Sequence, residues 1–281
     1  MNDEQARGVI TNSTIGTQGR LGNQLFQYAF LFAQARRLGT TAFVRRDRRG
    51  YVLNRYRLDQ SGTVRHVSRQ EYADLYTKQI IACIDEYTFL YSPDLAHASD
   101  ACDYTGYFQT ELYFAEFADE VRQMFTLRAT PHTEQWQQWF AAQTTDVVAM
   151  HVRRGDYLNL PDKHTNLHGS DYYQRADALM GRLLNRPYVV LVFSDDIPWC
   201  RANPYFPADR RVEYVSGNDQ FTDLYLLSLC DHHIIANSSF SWWGAWLAQR
   251  EDQQVIAPST WFGPDGPAPY DSLYCQGWHV I

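Results

Sequence analysis

Apolar residues recur at helical spacing near the start of the chain. They fall on one side of a helix over residues 21–38, and Gly39 follows where a helix C-cap favours glycine, which predicts one long amphipathic helix. Residues 9–15 are predicted as a strand, although four consecutive polar residues are unusual in a buried parallel strand. Residues 40–128 have an irregular pattern and are predicted only as the remainder of an N-terminal domain.

The second half of the chain alternates between short apolar runs and helical patterns. Runs rich in β-branched residues predict strands, and Ser170 is the predicted N-cap of the first helix between them. The predicted strands cover residues 146–152, 188–193, 212–215, 233–236 and 254–257, and the predicted helices cover residues 171–184, 219–230 and 239–249. This alternation predicts a doubly wound parallel sheet, which binds ligands beyond the carboxyl ends of its strands.

The length of 281 residues allows two domains. We expect an N-terminal domain over residues 1–140 and a C-terminal domain over residues 141–281, with a short helix at residues 136–140 leading from one to the other; a single large α/β domain is the alternative. The net charge of -7 argues against a nucleic-acid partner, which would require a clustered basic face. The basic run at residues 45–49 fits either a solvated loop or a patch that docks on an anionic membrane or glycolipid.

Cysteine usage and hydropathy bear on the cellular compartment. The five cysteines have no CxxC pair and no regular spacing, so they predict neither a disulfide framework nor a zinc site. The first residues lack the apolar core of a signal peptide, and no window approaches the ~18 apolar residues of a membrane span. We therefore expect a cytoplasmic protein, attached at most peripherally to the inner face of the cell membrane.

Three polar motifs fall at predicted strand or helix ends. They are GRLGNQ from Gly19, HVRRGDY from His151, and ANSSFSWWGAWL from Ala236. Breaking a sugar–diphosphate bond leaves negative charge on the departing group, which arginine side chains and a helix N-terminus can stabilise. The chain has no Asp-x-Asp motif, by which some transferases hold a divalent metal. The motifs therefore predict a metal-independent site for a diphosphate sugar.

The residues around HVRRGDY admit more than one role. Arg153 shares a strand face with His151 and is predicted to bind the β-phosphate; alternatively, Arg153 and Arg154 are structural and pair with Asp156 and a neighbouring acid. Asp156 fits two roles: it orients the guanidinium of Arg153, or it acts as a general base. His151 fits three roles: a general base, a hydrogen-bond donor to phosphate, or a structural histidine at the strand end whose hydrogen bonds are made within the protein.

Other acids and hydroxyls also have a structural alternative. Ser238 and Ser239, with the amides around Phe240, are predicted to hold phosphate, although serine is also an ordinary N-cap. Asp195, beside Asp196, fits either a helix cap or a ribose-binding carboxylate.

Asp223 lies in the first turn of a predicted helix. It either complements the helix dipole or accepts hydrogen bonds from the N1–H and amino groups of guanine. The tryptophans of the last motif, at positions 242, 243 and 246, are predicted to be core residues. His232 and His233 point to opposite faces of a strand, so they cannot share one metal and are predicted to be structural.

The order of the motifs resembles that of a known family. GRLGNQLFQYAFLFAQARRLG, GYFQTELYF, HVRRGDY, FSDD and ANSSFSWWGAWL are similar to the motifs of glycosyltransferase family 11, the α-1,2-fucosyltransferases, of the bacterial type, and they span nearly the whole chain. The resemblance implies an α/β fold of the GT-B type, with two Rossmann-like domains facing across a cleft. It implies an acceptor side in residues 1–140 and a GDP-fucose site in residues 141–281.

The resemblance also implies a reaction. An inverting fucosyltransferase would move L-fucose from GDP-fucose to the 2-hydroxyl of a terminal β-galactoside, carried by an oligosaccharide or glycolipid, without a metal or other cofactor. The alternatives are another fucosyl- or nucleotide-sugar transferase on the same scaffold, or a non-catalytic glycan-binding module.

Residue roles follow from the resemblance by position. Arg153 would bind the β-phosphate, Asp223 would read guanine, and Asn23 is similar to the asparagine that protein O-fucosyltransferases place near the reacting centre. The glutamate that α-1,6-fucosyltransferases carry after HxRRxD is not matched, because Pro161 and Asp162 fall there. The predicted catalytic residues are Asn23, His151, Arg153 and Asp156, and the predicted donor-binding residues are Arg20, Gly22, Arg153, Ser194, Asp195, Asp223, Asn237, Ser238, Ser239 and Phe240.

Overall fold

The structure is a computed structural model that describes residues 8–58, 62–127 and 131–281. The chain divides into two compact units, Met1–Arg128 with Pro269–Leu273 and Ala129–Ala268 with Tyr274–Ile281. Each unit contains its own parallel β-sheet. The short connecting helix predicted at residues 136–140 lies within the helix Pro131–Ala141, which belongs to the second unit.

A five-stranded parallel sheet forms the centre of the first unit. Its strands are β1 (Ile10–Thr11), β2 (Ala42–Arg45), β3 (Val64–Val67), β4 (Ala82–Asp85) and β5 (Cys102–Thr105). Their order is β3-β2-β1-β5-β4, and all neighbours are parallel. The order reverses direction at β1 and β5, which makes their carboxyl ends the expected ligand-binding edge.

The first strand is much shorter than the sequence predicted. It covers only Ile10–Thr11, because the polar residues that follow form a turn. Asn12 Oδ1 accepts a hydrogen bond from the amide of Thr14 at 2.9 Å, and Asp103 Oδ1 accepts one from the amide of Ser13 at 2.8 Å. The local hydrogen bond from Thr14 and the distant one from Ser13 both engage backbone amides in place of the strand ladder, so β1 ends at Thr11.

The long helix predicted near the start of the chain is confirmed. The helices of the first unit are α1 (Leu21–Leu38), α2 (Arg69–Gln79), α3 (Pro93–Ala96) and α4 (Ala118–Met124). Gly39 adopts φ 60° and ψ 35°, a left-handed conformation that ends α1 without the steric cost of a Cβ atom. Most residues up to Ala35 are buried, so α1 is a core helix rather than a surface helix with one apolar face.

The basic run after β2 is partly built into the first unit. Arg45 Nε pairs with Asp47 Oδ1 at 2.6 Å. Arg48 donates a hydrogen bond to the carbonyl of Ile15 at 3.0 Å, and its guanidinium lies 5.2 Å from the ring centre of Tyr72. Two of the four arginines therefore have structural contacts, and membrane docking through this run stays a prediction.

A six-stranded parallel sheet forms the centre of the second unit. Its strands are β6 (Asp146–Val152), β7 (Tyr188–Ser194), β8 (Val212–Tyr214), β9 (His232–Ile234), β10 (Val255–Ala257) and β11 (His279–Val280). The order β11-β10-β9-β6-β7-β8 is that of a dinucleotide-binding Rossmann sheet, which reverses direction between β6 and β9. All five strands predicted here are present, and the two-residue β11 was not predicted.

Helices connect these strands as the alternating pattern predicted. They are α5 (Pro131–Ala141), α6 (Tyr172–Leu184), α7 (Ile197–Ala202), α8 (Gln220–Leu229) and α9 (Ser239–Leu247). The N-cap of α6 is Asp171 rather than Ser170, although Ser170 Oγ still accepts a hydrogen bond from the amide of Tyr172 at 3.2 Å. The α/β class and the two Rossmann-like units are confirmed.

The tryptophans of α9 are core residues, as predicted. Trp242 and Trp243 are fully buried, with their ring centres 5.1 Å apart, and α9 packs against α8. Gly244 allows this close approach, because a Cβ atom there would lie 2.6 Å from Leu227 Cβ. His233 Nε2 contacts the carbonyl oxygen of Leu227 at 2.7 Å, and His232 Nδ1 accepts from the amide of Gln254, in keeping with their predicted structural role.

Within residues 8–58, 62–127 and 131–281, every helix is too short or too polar to cross a bilayer.

Candidate functional site

Two loops of the second unit leave the sheet where its strand order reverses. β6 lies between β7 and β9, with Met150 opposite both Val192 and Ile234. The HVRRGDY motif continues from the end of β6, and the ANSS turn continues from β9 into α9. Because parallel strands end at the same edge, the fold brings these two motifs to the switch point of the sheet.

Arg153 lies between two carboxylates. Its Nη1 is 2.8 Å from Asp195 Oδ2, and its Nη2 contacts Asp156 Oδ1. The guanidinium carbon lies 5.3 Å from the ring centre of Tyr157, and the side chain is 16% exposed. These contacts use two of the five N–H donors of a guanidinium, and no described residue accepts from the others. Arg153 is thus held in one orientation with donors still available to a ligand.

Arg154 points to a different environment. Its Nε is 3.1 Å from Asp196 Oδ2, and its guanidinium carbon lies 3.8 Å from the ring centre of Trp199. Asp196 also caps α7, because its Oδ1 accepts from the amide of Trp199 at 3.2 Å. Helix capping is therefore observed for Asp196. The sequence identified Arg154 and Asp196 but did not find the role of Trp199.

Asp195 anchors the turn that carries both arginines. Its Oδ1 accepts from the amide of Arg154 at 2.9 Å, while its Oδ2 pairs with Arg153. Gly155 lies so close that a Cβ atom there would overlap Asp195 Oδ2. Ser194, one residue earlier, accepts a hydrogen bond on Oγ from the amide of Asp196 at 2.9 Å. In this structure Asp195 and Ser194 therefore hold the loop in place.

His151 is a neutral histidine. It is 5% exposed, and burial, reinforced by the Arg153 guanidinium, lowers its pKa to about 3, although Asp195 acts in the opposite direction. Its ring centre lies 5.6 Å from that of Phe240. Nδ1 is buried and finds no hydrogen-bond partner among the described residues. With so low a pKa His151 is a weak base, but a neutral imidazole can still donate one hydrogen bond to a ligand.

The ANSS turn forms the N-terminus of α9. Ser238 is the N-cap, and its Oγ accepts from the amide of Phe240 at 3.3 Å, so the capping role expected as an alternative is present. First-turn amides have no acceptor within their own helix, which gives this end a partial positive charge. Ser239 and Phe240 are partly exposed and begin the helix. The turn is therefore suited to an anion.

Tyr157 joins the two motifs. Its hydroxyl donates to the carbonyl of Asn237 at 2.9 Å, and its ring stacks on His164 with centres 4.1 Å apart. Asn237 in turn donates through Nδ2 to the carbonyls of Thr165 and Trp261, at 2.9 and 2.8 Å. Asn237 thus positions the turn through hydrogen bonds within the protein. The sequence placed Tyr157 inside a motif but predicted no role for it.

Asp223 lies beyond the edge strand β8. It occupies the first turn of α8, and its Oδ1 accepts from Asn218 Nδ2 at 2.9 Å. The cap of α8 is Asp219, whose Oδ1 accepts from the amide of Thr222 at 2.8 Å. Asp223 is therefore not the N-cap, and its partly exposed carboxylate lies on the same unit as the β6 and β9 loops.

The remaining predicted residues belong to the first unit. Arg20 is the exposed residue that precedes α1, and Gly22 and Asn23 lie in its first turn. Gln109 Nε2 donates to Asn23 Oδ1 at 2.9 Å. Gly19 has φ 75°, and a Cβ atom there would lie 2.5 Å from Asn23 Cβ, so the close turn before α1 requires glycine.

In the part of the chain that the structure describes, no three His, Cys, Asp or Glu side chains are grouped so that they could hold a metal ion. The charged groups at the end of β6 are two arginines and three aspartates that pair with one another.

These observations define a class of protein: a chain of two Rossmann-like units with an arginine and a helix N-terminus at the switch point of the second. The family model described as glycosyl transferase family 11 matches residues 3–281, and the chain belongs to that family. The family expected from the sequence motifs is confirmed.

Individual relatives agree with this assignment. An alpha-1,2-colitosyltransferase of Escherichia coli is 32% identical over 272 residues, which cover 87% of this chain and 90% of that protein. The O-antigen biosynthesis glycosyltransferase WbnK of Escherichia coli is 28% identical over 286 residues, covering 87% and 93%. The human galactoside alpha-(1,2)-fucosyltransferase 1 is 28% identical over 249 residues, covering 84% and 65%. This chain is therefore similar to bacterial and animal glycosyltransferases.

Proposed function

We propose that this protein is an inverting fucosyltransferase that moves L-fucose from GDP-fucose to the 2-hydroxyl of a terminal β-galactoside. The acceptor is an oligosaccharide or glycolipid, and no metal takes part. In this proposal the bond from the anomeric carbon to the β-phosphate oxygen breaks as the acceptor oxygen attacks from the opposite face. The negative charge that develops on GDP then requires positive potential at the phosphate.

The observation that carries the proposal is the oriented guanidinium of Arg153. Two carboxylates hold it at the switch point of the second sheet, and its remaining N–H donors have no acceptor among the described residues. The N-terminus of α9 follows the neighbouring strand β9. An arginine and a helix N-terminus at one edge are a recurring means of binding a diphosphate.

The test is a mass-spectrometric screen. The purified protein is incubated with GDP-fucose and a panel of galactosides, and the linkage of any product is determined by NMR. We expect addition of one fucose to the 2-hydroxyl of a terminal galactose. If no galactoside of the panel is modified, the proposed acceptor is wrong. If a sugar is transferred from an ADP- or UDP-sugar instead of GDP-fucose, the proposed donor is wrong.

The similarity to a colitosyltransferase favours a second candidate. Colitose is the 3-deoxy counterpart of L-fucose, so the two donors present the same diphosphate to the protein and differ in one hydroxyl group. Parallel assays with GDP-fucose and GDP-colitose distinguish the two candidates by their kcat/KM ratio. A protein that only binds glycans would instead show heat on titration with free oligosaccharide and none with GDP.

Metal independence is the first prediction of the proposal. Arg153 and the α9 N-terminus supply the charge that a divalent metal supplies in other transferases, so activity in excess EDTA is expected to equal that in untreated enzyme. Initial rates with and without EDTA measure this. A large loss that added Mn²⁺ or Mg²⁺ restores would show that the electrostatic argument is wrong.

Guanine selection by Asp223 is the second prediction. A carboxylate accepts from the N1–H and amino groups of guanine but faces an acceptor on adenine. An unpaired group that the bound nucleotide covers costs ~1–3 kcal/mol. GDP is therefore expected to inhibit at least about tenfold more strongly than ADP, and Asp223→Asn should reduce that ratio. Asp219→Asn is the matched control, since asparagine caps a helix as well as aspartate. An unchanged ratio in a folded Asp223→Asn protein would reduce Asp223 to a helix-terminus acid.

A further inference from the structure

A carboxylate lies at the ligand-binding edge of the first unit's sheet. Glu86 directly follows β4, and Gly106 directly follows the neighbouring strand β5. Glu86 Oε2 accepts two hydrogen bonds, from the amide of Tyr107 at 2.8 Å and from that of Phe108 at 2.7 Å. Within the described ranges its other oxygen has no hydrogen-bond or ion-pair partner. Glu86 is thus held by one oxygen and offers the second.

The backbone of the loop after β5 is shaped around this carboxylate. Gly106 has φ 151°, and a Cβ atom there would lie 2.5 Å from Glu86 Cβ and 2.9 Å from Oε2. Phe108 has φ 54°, a left-handed conformation that is unusual for a bulky side chain. Strained backbone of this kind persists where the surrounding structure enforces it, and it concentrates at functional sites.

Among the residues that the structure describes, none forms an ion pair with Glu86. Burial raises its pKa to about 7, against the opposing effect of the Phe108 and Tyr107 amides. Tyr113 faces it from another element, and burial raises the pKa of Tyr113, so Tyr113 is neutral. Asp85, the acid beside it on β4, accepts from the Thr105 hydroxyl. Glu86 therefore exchanges its proton near neutral pH.

The same loop reaches a residue already predicted to act in transfer. Gln109, three residues after Gly106, donates to Asn23 Oδ1 at 2.9 Å. Gln27 Nε2, on the same helix as Asn23, donates to the carbonyl of Gly106 at 3.0 Å. Glu86 and Asn23 thus attach to one loop at the carboxyl edge of the first sheet.

We propose that Glu86 is the catalytic base that accepts the proton of the acceptor hydroxyl, a role that rests on the proposed function above. As the acceptor oxygen bonds to the anomeric carbon, the bond from that carbon to the β-phosphate oxygen breaks, and its electron pair leaves with GDP. The acceptor proton passes to Glu86 Oε1, while the Tyr107 and Phe108 amides hold Oε2. His151 is a poor competitor for this role because its pKa of about 3 makes it a weak base.

Glu86→Gln tests the assignment. Glutamine keeps an oxygen that can accept the two amide hydrogen bonds but cannot take a proton, so turnover is expected to fall ~10²–10⁴-fold, the range for general bases. GDP affinity, measured by calorimetry, should stay within about twofold of wild type, because the expected GDP site lies in the second unit. Asp85→Asn, which neutralises the preceding acid, is the matched control and should keep wild-type turnover.

The pH profile gives a readout that a structural role would not move. The active form of Glu86 is the ionised one, so kcat of wild type should rise with pH and level off above a midpoint near 7. Glu86→Gln should lose this rise, and Glu86→Asp should keep it at a lower rate. A Glu86→Gln rate within about threefold of wild type, or an unchanged acidic limb, would overturn the proposal.

A measurement of thermal stability distinguishes a catalytic role of Glu86 from a role in supporting the loop. The pKa of Glu86 is higher in the folded protein than in the unfolded chain, so its stabilising effect is present at acidic pH and is lost as pH rises through 7. Glutamine resembles the protonated form, so Glu86→Gln should melt at or above the wild-type temperature at pH 8. A folding failure or a drop in melting temperature that accounts for the lost activity would make Glu86 structural. If wild type neither binds GDP nor transfers fucose, the proposed function fails instead, whatever Glu86 does.

Discussion

Arg153→Lys is expected to lose ~10²-fold or more in turnover, and Arg153→Ala at least as much, which is the loss seen when one preorganised donor is removed. Lysine keeps the charge but lacks the planar fork that contacts Asp156 and Asp195 with separate nitrogens. It therefore loses both the fixed orientation and the additional donors for the diphosphate. Steady-state rates with GDP-fucose and a galactoside acceptor measure the effect.

The neighbouring arginine provides the control for this prediction. Arg154 pairs with Asp196 and stacks on Trp199, so Arg154→Lys should affect stability more than turnover. An equal loss of turnover in both lysine variants would mean that either substitution disrupts the structure of the whole turn. A near wild-type rate in Arg153→Lys would show that Arg153 does not stabilise the leaving group.

Gly155→Ala is expected to lower turnover ~10–10²-fold while the protein stays folded. A Cβ atom at this position would overlap Asp195 Oδ2, and Asp195 cannot move away without releasing Arg153 and the amide of Arg154. Loss of a residue that orients a functional group typically costs this factor, as metal sites illustrate. Initial rates together with thermal melting measure the two effects separately.

Gly169→Ala is the matched control, because nothing lies within 4 Å of a Cβ atom built there. It should keep both wild-type turnover and a similar melting temperature. If Gly155→Ala is as active as Gly169→Ala, then the contact between Asp195 and Arg153 has no part in catalysis. If instead Gly155→Ala melts well below wild type, the glycine serves the fold of the second unit rather than its site.

Most of the candidate site in the second unit was visible in the sequence because its motifs follow predicted strands. Strands of a parallel sheet end at one edge, so HVRRGDY after β6 and ANSS after β9 were expected to lie together. Asp156, three residues after Arg153, was also weighed as its partner. Asp195 was placed at the same edge, but its pairing with Arg153 crosses 42 positions and depends on β6 and β7 being neighbours.

The first unit shows why Glu86 was not predicted. Its strands β2 to β5 have four residues each, and β4 is largely exposed, so they show too little periodicity to be recognised. Glu86 carries no motif of its own. Its importance depends on the amides of Tyr107 and Phe108 after the adjacent strand and on a glycine that leaves room for it.

The sequence by itself determined the family, the α/β class, the long helix that ends at Gly39, and the alternation that makes the second sheet. These features depend on local patterning and on motifs that short-range rules can interpret. Only the tertiary structure decided which groups pair and how they titrate. Burial makes His151 neutral, two segments from different strands orient Arg153, and a strained loop holds Glu86, because desolvation and hydrogen bonding depend on neighbours that are distant along the chain.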